Sequence, residues 1–226
     1  RDAFPRAIAK VRGQLGRAYP LHINGRDVTT EDLIDSINPA APDEVIGRIS
    51  QAGVEEVEAA LAAAQGAFQT WRDTPVAERA QYLVKAAKLA RERIYEYSAW
   101  QVLEEGKQWA QAYNDLAEGI DFLEYYAREM LRLGAARDMG SYAGEINQYF
   151  YQAKGVAAVI SPWNFPFAIG CGMCAAAIVA GNCVVFKPSN QSPVVGHHLV
   201  ELFGEVGFTL NALRLHNGTV YRWNRP

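Results

Sequence analysis

Two polar positions stand out in an otherwise apolar part of the sequence. Residues 155–186 contain no charged side chain, yet Asn164 lies among them between Pro162 and Pro166, and Lys187 follows directly. An amide and an ammonium group are strong hydrogen-bond donors, so both could bind an oxygen-bearing or anionic ligand. Asn164 also has a simpler interpretation, because asparagine in a turn often bonds to its own backbone.

The elements predicted around these residues would bring them together. They are a strand at 155–160, a helix at 167–180 closed by Gly181, a strand at 183–186, and a helix capped by Ser192–Pro193 that runs to Gly207. The order is typical of a right-handed βαβ unit, and the continuous apolar run at 155–160 predicts a strand covered on both faces. Ligands bind at the carboxyl ends of such strands, here 161–164 and 187–190. No G-x-G-x-x-G motif is present, so any nucleotide would bind without that fingerprint.

The first half of the chain is predicted to be mostly helical, with short strands near 21–25, 35–39 and 45–49. One helix has an apolar face formed by Val54, Val57, Leu61, Ala64, Phe68 and Trp71. A second is predicted from Thr74–Pro75 to Gly106, and a third from Trp109 to Leu133. A loop at 134–144 and an exposed strand at 148–153 follow.

This pattern predicts four regions. They are an N-terminal helical part with short strands (1–134), an exposed loop and strand that could serve oligomerisation (135–154), the first part of a nucleotide-binding domain (155–207) and a tail (208–226). The fold class is therefore α/β.

Composition excludes several classes of function. The formal net charge is −3 and no basic block is present, which argues against nucleic acid or anionic lipid as a partner. Prolines, Gly181 and Asn182 interrupt the uncharged run, so no membrane span is predicted. Residues 1–17 lack the apolar core of a secretory signal.

The odd number of cysteines, at 171, 174 and 183, favours a reducing, cytoplasmic setting. No metal site is predicted. The absence of an initiating Met suggests a processed, trimmed or incomplete chain.

Several motifs resemble a known family. "GVAAVISPWNFPFAIG" and "AAAIVAGNCVVFKPSNQSP" resemble the NAD-binding core of the aldehyde dehydrogenase superfamily. "YPLHING", "SINPAAPDEVIG", "AAQGAFQTWRDTPVAERAQYL" and "AEGIDFLEYYAREM" extend the similarity back to about Ala18. The last is most similar to the branch that oxidises glutamate γ-semialdehyde in proline breakdown. The resemblance implies an aldehyde-dehydrogenase-like fold with an incomplete Rossmann-type sheet.

The resemblance also implies roles for individual residues. Asn164 would donate to the aldehyde oxygen while a cysteine thiolate attacks the carbon, and Lys187 would bond the adenine-ribose hydroxyls of NAD. The alternative for Lys187 is a solvated lysine that ends a strand. The remaining cofactor-binding residues would be Ile160, Ser161, Pro162, Trp163, Ser189 and Asn190, with Asn164 beside them. NAD-preferring members often carry Glu where this chain has Asn190. Since Asn carries no charge to repel a 2′-phosphate, NADP remains open as the cofactor.

Glu118 has two interpretations. It lies three residues from both Asp115 and Asp121, so the three could form a solvated acidic face of one helix. The resemblance implies instead that Glu118 contacts the substrate's α-ammonium group. Cys171 and Cys174 have helical spacing inside an apolar helix, which indicates core packing.

The nucleophilic cysteine and the water-activating glutamate that the resemblance implies would come later in the family sequence. After Phe208 the similarity is no longer visible, which suggests a truncated or frame-shifted product, or a fragment. The first hypothesis is the N-terminal part of a homo-oligomeric enzyme acting on a small aldehyde. The second is a non-catalytic binding or oligomerisation module that pairs through the strand at 148–153.

Overall fold

A computed structural model describes residues 2–208 and 211–212. The helices are α1 (Ala3–Arg12), α2 (Val54–Asp73), α3 (Val76–Glu92), α4 (Ile94–Glu105), α5 (Trp109–Leu133), α6 (Ala168–Val179) and α7 (Pro193–Glu205). The strands are β1 (Arg17–Tyr19), β2 (Leu21–Ile23), β3 (Arg26–Val28), β4 (Leu33–Asn38), β5 (Ala41–Ser50), β6 (Arg137–Tyr142), β7 (Glu145–Tyr149), β8 (Val156–Ile160), β9 (Cys183–Lys187) and β10 (Asn211–Ala212). The predicted α/β class is confirmed.

The largest sheet contains the predicted βαβ unit. Its strand order is β3-β2-β10-β9-β8, and β8 runs parallel to β9 with Ile160 opposite Lys187. β10 pairs in parallel with β9 and antiparallel with β2, so strands from near the N-terminus complete the same sheet. The smaller sheets are β1-β5-β4 and the hairpin β6-β7. Apart from β10, the tail after Phe208 lies outside the described residues.

Three boundaries differ from the sequence predictions. The helix predicted from Thr74–Pro75 to Gly106 is two helices, because Arg93 leaves the helical conformation between α3 and α4. Its guanidinium is bound to the Glu205 carboxylate on α7. Thr74 does not cap α3, since its hydroxyl donates to the Thr70 carbonyl. The predicted loop at 134–144 and strand at 148–153 form a hairpin of β6 and β7 instead, which ends at Tyr149 and turns where Gly144 has φ +89°.

The prediction that β8 is covered on both faces is wrong. Val159 is buried, whereas Ala158 is exposed and the Ile160 side chain is 63% exposed. β8 is an edge strand, and no described element covers the 158/160 face at its carboxyl end.

Helix α6 packs against the helical half of the chain. Trp71 Nε1 donates to the Ile178 carbonyl at 2.9 Å, and Arg79 Nε donates to the Val179 carbonyl at 3.0 Å. These bonds satisfy carbonyls in the last turn of α6 that have no partner within the helix. The positive charge of Arg79 also complements the helix dipole there. One hydrophobic core therefore joins α6 and α7 to the helices that precede them.

Gly119 permits the close contact between α5 and α6, and replacing it should be costly. A Cβ atom at this position would lie 2.6 Å from Cδ1 of the fully buried Phe167. We expect Gly119→Ala to lower the free energy of unfolding by about 1–3 kcal/mol through overpacking. Gly66→Ala on α2 is the matched control. No atom lies within 4 Å of its added methyl group, so helix propensity should raise stability by up to about 1 kcal/mol. Urea titration measures both, and equal effects would contradict the close-contact explanation.

Candidate active site

The structure brings the two predicted ligand-binding loops together. Ser161 N–H donates to the Lys187 carbonyl at 3.2 Å, which extends the β8–β9 pairing into the loops. Trp163 from the first loop and Asn190 from the second line one cavity of about 380 Å³. Ser36, Glu104 and Glu105 line it from the helical half. The cavity is therefore bounded by both halves of the chain.

Asn164 lies exposed at the tip of the first loop. Within the described ranges its side-chain amide makes no hydrogen bond, so the arrangement in which it bonds to its own backbone is not observed. Its neighbours Trp163 and Phe165 are 52% and 41% exposed. The amide is thus accessible to a ligand beside two aromatic surfaces.

Lys187, at the start of the second loop, is held more firmly than a lysine that is exposed to solvent. Its Nζ atom donates to the Pro188 carbonyl at 2.9 Å, and burial lowers the pKa of Lys187. Since an ammonium group has three donors, two remain for other acceptors. Ser189 Oγ accepts a bond from Gln191 N–H at 3.2 Å, so this hydroxyl stabilises the turn. The Ser161 hydroxyl, 5% exposed as a residue, has no partner in the described part of the chain.

Asp115 does not belong to a solvated acidic face. Its side chain is fully buried and accepts hydrogen bonds from Phe167 N–H and Ala168 N–H, at 3.4 and 3.0 Å. These groups open α6, so Asp115 caps that helix from α5. Burial raises the pKa of Asp115, while the nearby Lys107 ammonium opposes the rise. Glu118 and Asp121 are exposed, and only for them does the solvated-face interpretation fit.

Glu104 performs the equivalent role for α7. Its two carboxylate oxygens accept bonds from Val194 N–H and Val195 N–H, both at 2.8 Å, and Oε1 also accepts from Ser36 Oγ at 2.7 Å. Ser192 makes no side-chain capping bond, so its predicted capping role is wrong. The short serine side chain is replaced in this role by a carboxylate from α4.

Sequence analysis missed both carboxylates, although one signal for them exists. Phe167 occupies the N-cap position of α6, and its side chain has no group that can accept a hydrogen bond from the first turn. A buried helix without its own cap requires an acceptor from elsewhere. The pattern could have indicated that an acceptor was needed, but not which of the 25 acidic residues supplies it.

Glu105 is another carboxyl group that lines the cavity. Neither of its buried carboxyl oxygens has a hydrogen-bond partner among the described residues. Burial raises the pKa of Glu105 to about 9, and the charge of Glu104 adds to the rise while Lys107 opposes it. The folded chain therefore holds a proton that the unfolded chain releases at lower pH.

This proton should make stability depend on pH. The pKa of Glu105 is raised on folding, so the folded state binds more protons and the free energy of unfolding should fall as pH rises between about 4.5 and about 9. Glu105→Gln should raise stability at pH 8 by about 2 kcal/mol and flatten this part of the profile. Glu58→Gln, an exposed glutamate on α2, is the control. Urea titrations from pH 5 to 9 that show parallel profiles for wild type and Glu105→Gln would contradict the assignment.

All three cysteines are buried in the core. Cys171 and Cys174 are fully buried on α6, which confirms the prediction of core packing, and Cys183 is 6% exposed on β9. Burial raises the pKa of each of these thiols. Over the described ranges, no cluster of His, Cys, Asp or Glu suits a metal ion, and none of the helices combines the length and the hydropathy that a transmembrane segment needs.

Comparison of the sequence with known proteins gives consistent matches. The model of the aldehyde dehydrogenase family matches residues 26–220, so the similarity extends past Phe208, where it is no longer visible in the sequence motifs. 1-Pyrroline-5-carboxylate dehydrogenase 1 of Halalkalibacterium halodurans is 50% identical over 92% of this chain and 40% of its own length. The Geobacillus kaustophilus 1-pyrroline-5-carboxylate dehydrogenase is 48% identical over 97% of this chain and 42% of its own length. The chain thus spans about two fifths of the curated relatives it matches.

Solved structures agree with the fold. The 1-pyrroline-5-carboxylate dehydrogenase from Thermus with bound NAD superposes with a TM-score of 0.91 at 45% identity, covering 95% of this chain and 42% of that one. Proline utilization A from Bdellovibrio bacteriovorus superposes with a TM-score of 0.93 at 39% identity, covering 95% of this chain and 23% of that one.

Proposed function

Because the chain belongs to the aldehyde dehydrogenase family, we propose that it forms the N-terminal part of an NAD(P)-dependent dehydrogenase that oxidises glutamate γ-semialdehyde to glutamate. The observation that carries the proposal is the accessible Asn164 amide, which lies at the end of β8 beside the Lys187 loop. The substrate comes from the resemblance to the branch that oxidises glutamate γ-semialdehyde. The names 1-pyrroline-5-carboxylate dehydrogenase and proline utilization A support it.

Asn164 would act on charge that develops on the aldehyde oxygen. When a nucleophile adds to the aldehyde carbon, this oxygen becomes negative, and a donor already in position stabilises it without reorganisation. Pro162 and Pro166 restrict the backbone on either side, which limits the conformations that the loop carrying the amide can adopt before substrate binds. Glu118, exposed on α5, would accept a hydrogen bond from the substrate's α-ammonium group.

The residues present fit a dinucleotide. Lys187 offers free donors at the carboxyl end of β9, and the exposed side chains of Ile160 and Trp163 offer apolar surface for a planar ring. Pro162, Ser161, Ser189 and Asn190 complete the same edge. When bound, NAD(P) supplies the hydride acceptor for the oxidation. The chain's part is to bind and orient the adenosine half and to hold Asn164 near the reacting carbon.

A homo-oligomer is the partner arrangement we propose, formed through the β6-β7 hairpin. Every residue of both strands is exposed, including Tyr142 and Ile146 at 72% and 89%. Exposed aromatic and aliphatic side chains on an unpaired hairpin favour association. Sedimentation of wild type and of Ile146→Asp tests the oligomer, which the charged variant should dissociate.

We place the protein in the cytoplasm because its three unpaired cysteines suit a reducing compartment.

Calorimetry on the chain tests the cofactor site. The proposed contacts all belong to the adenosine half, so AMP and NAD should bind with similar, roughly millimolar Kd values, and nicotinamide mononucleotide should not bind measurably. 2′-Phospho-AMP should bind at least as well as AMP, because Asn190 carries no negative charge. Lys187→Met should abolish binding, while Lys154→Met, an exposed lysine before β8, should not. Tight NAD binding without AMP binding would contradict this site, because NAD would then bind through contacts outside its adenosine half.

A further inference from the structure

A buried ion pair lies beneath the loop that carries Asn164. Lys107 Nζ is 3.3 Å from Asp115 Oδ2, and the two side chains are 12% and 0% exposed. Gln101 Oε1 accepts a further hydrogen bond from the same ammonium group at 3.3 Å. An unpaired charge would be costly at this depth, so each partner holds the other in place.

Both members of the pair contact the loop, on opposite sides of Pro166. Lys107 Nζ lies 4.6 Å from the centroid of the Phe165 ring, within the range of a cation–π interaction. Asp115 accepts the N–H groups of Phe167 and Ala168, as described above. Asn164 is one residue from Phe165 and makes no hydrogen bond within the described part of the chain. Its direction therefore depends on how its neighbours are anchored.

We propose that the Lys107–Asp115 pair is a positioning device, which anchors the loop so that the Asn164 amide points toward its ligand. The pair acts through the loop and does not itself contact substrate. The role of Asn164 rests on the proposed function, whereas the anchoring itself can be measured in the chain without substrate. A fixed donor matters because small displacements of a catalytic group cost large factors in rate.

Glu104 provides a matched comparison within the same molecule. It is also a buried carboxylate from the helical half that caps a helix following a ligand loop, but its loop is the one with Lys187 and Asn190. If capping only stabilised the fold, each variant would speed amide exchange at its own helix, but neither would shift the Asn164 signal. If each carboxylate positions its own loop, the consequences should be local and different.

Amide hydrogen exchange and ¹⁵N NMR of the chain test the anchoring. Asp115→Asn should speed exchange at Phe167 and Ala168 by about 10-fold or more and shift the side-chain amide signal of Asn164. Glu104→Gln should do the same at Val194 and Val195 while leaving the Asn164 signal unchanged. Unaltered exchange at 167 and 168, or an unshifted Asn164 signal in Asp115→Asn, would overturn the proposal.

Lys107 variants keep the test decisive if Asp115→Asn fails to fold. Lys107→Met removes the charge and should shift the Asn164 signal. Lys88→Met, at an exposed lysine on α3, is the control and should leave that signal unchanged. Identical spectra for Lys107→Met and wild type would contradict the proposed anchoring.

The kinetic consequence can be read in a chimera, in which this segment replaces the matching 42% of the Geobacillus kaustophilus relative. Asp115→Asn should lower kcat about 10-fold with little change in the KM for NAD, and Glu104→Gln should mainly raise that KM. A raised KM with unchanged kcat in Asp115→Asn would overturn the positioning role.

The proposed function can fail separately from the anchoring. If Asn164→Ala has normal turnover while Asp115→Asn still speeds amide exchange at Phe167 and Ala168, the proposed function is contradicted and the anchoring is not.

Discussion

A polypeptide of these 226 residues should form no NADH when it is supplied with glutamate γ-semialdehyde and NAD. The thiolate is the reactive form of cysteine, and covalent catalysis on an aldehyde needs one that a substrate can reach. Cys171 and Cys174 are fully buried and Cys183 nearly so, and burial raises the pKa of all three thiols. None is both ionised and accessible near neutral pH.

The measurement is absorbance of NADH with a preparation whose intact mass has been verified. The chimera with the Geobacillus kaustophilus relative is the positive control, since it restores the part of the relative that this chain does not match. NADH formation by the polypeptide itself, abolished by a thiol reagent, would show that one of the three cysteines becomes accessible. The assignment of all three to the core would then be wrong.

Asn164→Ala in the chimera should lower kcat about 100-fold or more. Removing a preorganised donor to a developing oxyanion has an effect of this size, because the interaction strengthens only as charge appears on the oxygen. The KM for NAD should change little, since the ground state of the cofactor does not need this amide. Steady-state kinetics with both substrates varied separates the two parameters.

The matched control for this variant is Gln65→Ala. Gln65 is an exposed residue on α2, and its side-chain amide makes no hydrogen bond within the described part of the chain. Its replacement should leave both kcat and KM at wild-type values. Normal turnover of Asn164→Ala would show instead that Asn164 serves only the local structure of its loop.

The sequence by itself determined the elements that lie along the chain. The apolar runs at 155–160 and 183–186 predicted β8 and β9, and the helical spacing from Val54 to Trp71 predicted α2. These patterns are local, because a strand or a helix imposes its period on the residues within it. The same reasoning placed Asn164 and Lys187 at the ends of neighbouring strands, where the structure has them.

Only the tertiary structure decided which distant side chains complete the site. Asp115 reaches the first turn of α6, and Glu104 reaches that of α7, across separations of 53 and 90 residues. No periodic pattern encodes such contacts, since the capped helix specifies only that an acceptor is needed. The exposed face of β8 was likewise invisible in its apolar sequence, because burial depends on which element packs above a strand. Packing therefore divides the charged residues that resembled a solvated face. Asp115 is buried against the first turn of α6, whereas Glu118 and Asp121 are exposed.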